Sequence, residues 1–213
     1  MWRRSLVFLM GAMIALPLAA GARRDTSAGI DLGSAEKVFV DFEVGELRIE
    51  VGKGQRVEVE LDLRCKSRSA SCERRLEEVE IFLEQRGSKV VVSFEGLSKR
   101  LSNKFETECL VRIPAAARLS VDMGIGDLEI EGVERDIFVD LGIGQASLSL
   151  PERSVRSVYL DTGIGESKVW GSEGSITTSR PFLIGSEVEW ESGPGKAEIV
   201  VDLGIGEIWV DLH

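Results

Sequence analysis

Four aspartates each open the same five-residue phrase, Asp-x-Gly-Ile-Gly, at Asp122 to Gly126, Asp140 to Gly144, Asp161 to Gly165 and Asp202 to Gly206. Carboxylates repeated at a fixed phase suggest two chemistries. A ladder of them can hold a hard cation such as calcium, and a pair can act as acid and base on a glycosidic bond. The plainer reading is that each accepts hydrogen bonds from its own glycine corner and is otherwise solvated. The calcium-loop pattern of coiled repeat proteins is absent, so no cofactor is expected, with calcium the one candidate.

Other catalytic machinery is missing. The single histidine is the terminal His213, which excludes histidine acid–base catalysis, a Ser-His relay and a multi-histidine zinc site. Gly193-Pro194-Gly195-Lys196-Ala197 looks like a phosphate loop, but the first glycine is not at the required spacing and no Ser or Thr follows the lysine. Of the three cysteines, Cys65 and Cys72 can close a short loop across Lys66 to Ser71, leaving Cys109 over; Cys72 with Cys109 is the competing pair. Trp170 and Trp209 stand at outward phase beside Val169, Ile208 and Val210. An indole there is a sugar platform or contact surface unless a loop or domain covers it. No residue is assigned as catalytic, cofactor-binding or metal-ligating.

The elements that must position these residues are strands. Apolar residues alternate through Val121, Met123 and Ile125, through Val139, Leu141 and Ile143, and through Val201, Leu203 and Ile205. Past the second glycine the inward set becomes Leu128 and Ile130, Ala146 and Leu148, or Ile208 and Val210, a slip of one residue. The paired glycines (Gly124 and Gly126, Gly142 and Gly144, Gly163 and Gly165, Gly204 and Gly206) therefore mark a bulge or corner. The aspartates are 18, 21 and 41 residues apart, and a degraded copy at Pro181 to Gly185 halves the long gap, giving a period of about twenty. Turn-like breaks between copies leave two short strands per repeat. These features predict an all-β chain whose residues 118–213 stack as a β-solenoid of two-strand repeats, with the unbroken strand from Ala197 onward closing or capping it.

Residues 37–117 are expected to form a preceding region of antiparallel strands with the cysteine loop, with Gly52 to Gln55 and Arg86 to Ser88 as hairpin turns. Glu73 to Glu84 could form a short helix, but the alternation of Val79, Ile81 and Leu83 with Glu80, Phe82 and Glu84 favours a strand after the cysteine loop. Asp41 to Gly45 resembles the repeated phrase with Glu43 in place of a glycine, which suggests shared ancestry.

The first 22 residues are expected to form an export signal: Arg3 and Arg4, an apolar run from Leu6 to Ala20 shorter than the roughly 20 residues of a spanning helix, and cleavage after Ala22. Residues 23–36 follow as a flexible segment. Removing residues 1–22 leaves 24 basic against 36 acidic residues, a net charge of −12. An acidic body repels nucleic acid and anionic lipid, leaving cations, sugars or basic proteins as partners.

Leu110 to Pro114, followed by Ser120 to Ile130 with its Gly124-Ile125-Gly126-Asp127-Leu128 core, resembles the bacterial putative-adhesin family of unknown function. Trp190 to Leu212 is similar to the ends of the related toast-rack domains. The resemblance spans residues 37 to 213. It implies a β-solenoid-like fold, a periplasmic or extracellular envelope role and no catalytic residues. The expected function is a non-enzymatic structural or interaction module whose partner is an envelope protein or glycan, with self-association open. A calcium-stabilised adhesive domain and a glycan-active solenoid enzyme are the alternatives.

Overall fold

The computed structural model describes residues 22–67, 69–97, 104–172, 174–177, 185–191 and 194–213. The expected export signal up to Gly21, the degraded copy at Pro181 to Ile184 and Gly193 lie outside the described residues. The elements are β1 (Arg23–Asp31), β2 (Lys37–Val51), β3 (Arg56–Cys65), α1 (Ala70–Glu77), β4 (Glu80–Arg86), β5 (Lys89–Glu95) and β6 (Phe105–Ile113). They continue with β7 (Arg118–Glu131), β8 (Ile137–Leu150), β9 (Val155–Gly171), β10 (Gly174–Thr177), β11 (Ser186–Trp190) and β12 (Ala197–Leu212). The chain is all-β, as expected, and its strands form one large mixed sheet in the order β1-β3-β6-β2-β7-β8-β12-β9-β10. Residues 23–31, expected to be flexible, pair along their whole length with β3.

At the centre, β2, β7, β8, β12 and β9 run parallel and in register. The two short strands expected in each copy are the arms of one long bent strand. Along β8, Ile137, Val139 and Leu141 are buried on the first arm and Ala146, Leu148 and Leu150 on the second, so both arms face one core. The phase changes across the whole Gly-Ile-Gly rather than after its second glycine. This corrects the placement of the motif isoleucines: Ile143, Ile164 and Ile205 are 44–45% exposed on the outside of the bend, and Ile125 is half-buried.

Gly144 shows why the corner needs glycine. Its φ is 149°, and an added Cβ would fall on the carbonyl oxygen of Gly126 in the adjoining strand, far inside contact distance. Gly126, Gly165 and Gly206 meet Gly45, Gly206 and Gly144 in the same way. The first glycines are constrained by proximity alone: a Cβ on Gly142 would lie 2.6 Å from the Gly124 oxygen, one on Gly204 2.5 Å from that of Gly142, and one on Gly163 2.8 Å from that of Gly204.

The strand order departs from expectation. β12 does not cap the stack; it lies between β8 and β9 and pairs with both. After β9 the chain lays β10 and β11 antiparallel along β9's far side, then returns to insert β12. The turn at Gly52 to Gln55 is likewise not a hairpin, because β6 separates β2 from β3. Gly87-Ser88 does join an antiparallel hairpin, β4 to β5.

Residues 73–77, assigned to strand upstream of β4, belong to the helix α1 instead. Cys72 and Leu76, four apart, put one buried stripe on the core, and the Cys65–Cys72 disulfide ties that stripe to the end of β3. Cys109, on β6, is buried and free. In β9 the positions that hold Leu203 and Ile208 in β12 are taken by Thr162 and Ser167, buried side chains whose hydroxyls hydrogen-bond each other at 2.6 Å across the bend.

Gly144→Ala is expected to lose about 3 kcal/mol or more of stability, from positive φ and backbone overlap together. Gly132→Ala, at φ 69° with open space around it, should cost only about 1 kcal/mol; denaturant midpoints of the two variants measure the difference. Burial pushes the Cys109 thiol far above its usual range. The folded chain should therefore take up no alkylating reagent, the denatured unreduced chain one equivalent and the reduced denatured chain three, by mass spectrometry.

Candidate functional site

In-register stacking turns every outward position of the bent strands into a row across the sheet. On the first arm, Asp41, Asp122, Asp140, Asp202 and Asp161 occupy successive strands, and Glu187 of β11 extends the row. Neighbouring strands are about 4.8 Å apart, so these carboxylates crowd one another. Partial burial, and then the neighbouring Asp122 and Glu43, raise the Asp41 carboxyl above its ordinary value. Partial burial, and then Asp161 and Asp140, do the same to Asp202. Among the described residues no group of three or more His, Cys, Asp or Glu side chains is placed to hold a metal ion. A row on an open face also lacks the walls that would hold a sugar between two carboxylates.

Beside the aspartates runs the corner row of Val44, Ile125, Ile143, Ile205 and Ile164, the last three with much of their surface in solvent. Nearer the strand starts, Phe39 and Phe138 also point outward, and each carries a lysine over its ring: Lys89 at 5.0 Å and Lys37 at 5.6 Å.

The second arms carry the tryptophans. Trp170 and Trp209 point outward, each 38% exposed, with Trp209 opposite Lys168 and Asp211 opposite Trp170. The two indoles are thus diagonal neighbours on β9 and β12. They border a hollow of about 340 Å³ completed by Glu129, Ser147, Leu148, Ser149 and Asp211.

A larger trough of about 950 Å³ adjoins it across β7, β2, β6, β3 and β1 and shares Glu129 and Ser147 with it. Seven carboxylates line this trough against two arginines, and Arg64 and Arg112 reach in from its margin to pair with Asp62, Glu108 and Glu60, so the trough keeps an acidic excess of about three charges. Arg23 pairs with Asp62 at 2.7 Å and Arg48 with Glu131 at 2.8 Å. No sequence motif points to this acidic trough, because its side chains come together only through the strand pairing. The one available signal is a charge at every second residue, as in Glu46, Arg48 and Glu50, or Glu58, Glu60 and Asp62.

The raised carboxyls give a signed pH effect. Folding favours their protonated form, so the destabilisation from the ionised row is absent below the ordinary carboxylate value and appears as pH rises through the raised one. Asp202→Asn should therefore melt higher than the parent at neutral pH, and the difference should vanish on titration to about pH 4. Calorimetric melts of both proteins across that range check the sign.

No protein family matches the chain by sequence, and no curated protein does. Among solved structures, a putative cell adhesion protein from Clostridium sporogenes superposes with a TM-score of 0.53 at 13% identity, covering 90% of this chain and 100% of its own. A putative adhesin from Parabacteroides merdae covers 91% of this chain and 97% of its own at 8% identity, with a TM-score of 0.28. One from Parabacteroides distasonis covers 60% and 57% at 14% identity, with a TM-score of 0.23. The resemblance to putative adhesins drawn from the sequence is thereby borne out as a likeness of fold, which the chain shares with the clostridial protein over nine-tenths of its length.

Proposed function

We propose that this chain is an exported, non-enzymatic module of the cell envelope that presents its outward sheet face to a partner. The observation that carries this reading is the pair Trp170 and Trp209. Two large aromatic side chains are held in solvent on adjacent strands of a sheet whose other face is fully packed. Exposed indoles set in hydrogen-bonded strands come with little conformational freedom to lose on binding.

Two further features support the envelope reading. β1 begins at Arg23, directly after the expected cleavage point. The Cys65–Cys72 disulfide suits an oxidising compartment, periplasmic or extracellular. In the same reading the five bent strands are rungs of a solenoid-like stack with β12 threaded in, and the exposed corner isoleucines leave self-association open to the chain.

The test is to express the full chain with a C-terminal tag, fractionate the cells, and add the purified mature protein to isolated envelopes. The expected result is a chain beginning at residue 23 in the periplasmic or extracellular fraction, with saturable envelope binding. An uncleaved chain in the cytosol with three free thiols, or no binding to any envelope fraction, overturns it.

A further inference from the structure

An interaction module needs a ligand, and the outward face carries one hollow whose chemistry selects it. Resting on the interaction reading, we propose that Trp170 and Trp209, with Asp211 and Glu129, form a receptor for a cationic side chain, lysine or arginine, on a basic segment of a partner protein.

The hollow is shaped for one such group. Residues Glu129, Ser147 and Trp209 lie in register on β7, β8 and β12, and Glu131, Ser149 and Asp211 form the next row. The short serines make a floor, with a carboxylate on one side and an indole or a second carboxylate on the other. The walls stand two strand spacings apart, about 10 Å between backbones. An ammonium or guanidinium entering there meets an aromatic face and carboxylate oxygens together.

The chain's own aromatic rings supply an internal comparison. Phe39 and Phe138, outward on the first arm, each hold a lysine of this chain over the ring. Indole attracts a cation more strongly than a phenyl ring does, yet among the described residues neither Trp170 nor Trp209 has a cation over it. Lys168 lies opposite Trp209, but its ammonium is bound to Glu166 at 2.6 Å. Arg48, 3.5 Å from Glu129, is held more closely by Glu131. Asp211 makes no ion pair among the described residues. The two better cation receivers are the two left open, and they open towards solvent.

Charge selects the occupant further. The hollow runs into the acidic trough through Glu129 and Ser147, so a chain anchored at the indoles continues over a surface where carboxylates outnumber their arginine partners, Glu46 and Asp127 carrying no ion pair among the described residues. Anionic lipid, nucleic acid and acidic polysaccharide are repelled along this path. A neutral sugar would gain the indoles but nothing from the trough, whereas a basic polypeptide uses both.

The test is calorimetric titration of the mature chain with a blocked peptide of alternating lysine and glycine, and separately with a neutral β-glucan oligosaccharide. The parent protein should bind the peptide saturably, more weakly as salt is added, and leave the oligosaccharide unbound. Replacing both residues, Trp170→Leu and Trp209→Leu, should weaken peptide binding about tenfold, whereas Trp170→Phe with Trp209→Phe retains most of it. Asp211→Asn, which keeps the shape and removes the charge, should weaken it severalfold. Melting temperatures of all variants should match the parent, since these side chains lie outside the core. Undiminished peptide binding by the leucine variant, or binding of the oligosaccharide in place of the peptide, overturns the receptor. Envelope binding is scored in parallel. If the leucine variant binds envelopes like the parent, the receptor assignment fails and the interaction reading stands; if the parent binds no envelope, that reading fails.

Discussion

The rest of the structure depends on the contact between the second glycine of each corner and the carbonyl oxygen of the glycine beside it. Gly45, Gly126, Gly144, Gly206 and Gly165 lie on consecutive strands, all at positive φ, and from Gly126 onward a Cβ would occupy a neighbour's backbone oxygen. A one-residue slip cannot satisfy this contact, because it places a side chain such as Ile143 or Gln145 where only a hydrogen fits. The corners therefore set the register, and the register determines everything outside it. Aspartate must stack on aspartate and isoleucine on isoleucine, whatever the electrostatic or solvation cost. The raised Asp41 and Asp202 carboxyls and the exposed isoleucine row are consequences of a pairing decided by backbone geometry.

Much of the core follows from the same repetition, and so it was legible. Val121 and Met123 before the corner and Leu128 and Ile130 after it are buried as their spacing implies. The motif isoleucines were misplaced because a count by twos runs on through the glycines, whereas the chain turns there and spends residues going round the bend. Helix α1 was hidden for another reason: Cys72 and Leu76 are its only buried residues, and two apolar positions are too few to define a period. The position of β12 could not be read at all. Its Asp-x-Gly-Ile-Gly matches the phrase in β8 and in β9 equally well, so local pattern offers no reason to choose a place at the end over one between them.

The candidate site was legible in part. The outward phase of Trp170 and Trp209 follows from alternation alone. Their surroundings do not, since Glu129 and Ser147 reach them from other strands and Asp211 reaches Trp170 from β12, and the pairing order is what brings those strands together. The ion pairs of the neighbouring trough are more remote still. Arg48 meets Glu131 across 83 residues and Arg112 meets Glu60 across 52. A sheet assembled from such distant segments folds slowly, and insertion of the last strand between two earlier ones postpones completion until the whole chain is available.

Identical residues stacked in register are also what fibrils are made of, so a stack of this kind must be stopped at both ends. The two ends are stopped differently. At β9 the outer edge is occupied by β11 against the first arm and β10 against the second, both antiparallel. Beyond β2 the uniform parallel run ends: β5 and β6 pair parallel with β2, but β3 runs antiparallel to β6 and β1 antiparallel to β3. The last strand, β1, carries Arg23, Arg24, Asp25 and Asp31, charges that discourage another strand from adding to it. Among the described residues each outer arm of the stack is thus paired with a strand that carries no Asp-x-Gly-Ile-Gly, which lets the chain repeat one backbone device five times and still remain finite.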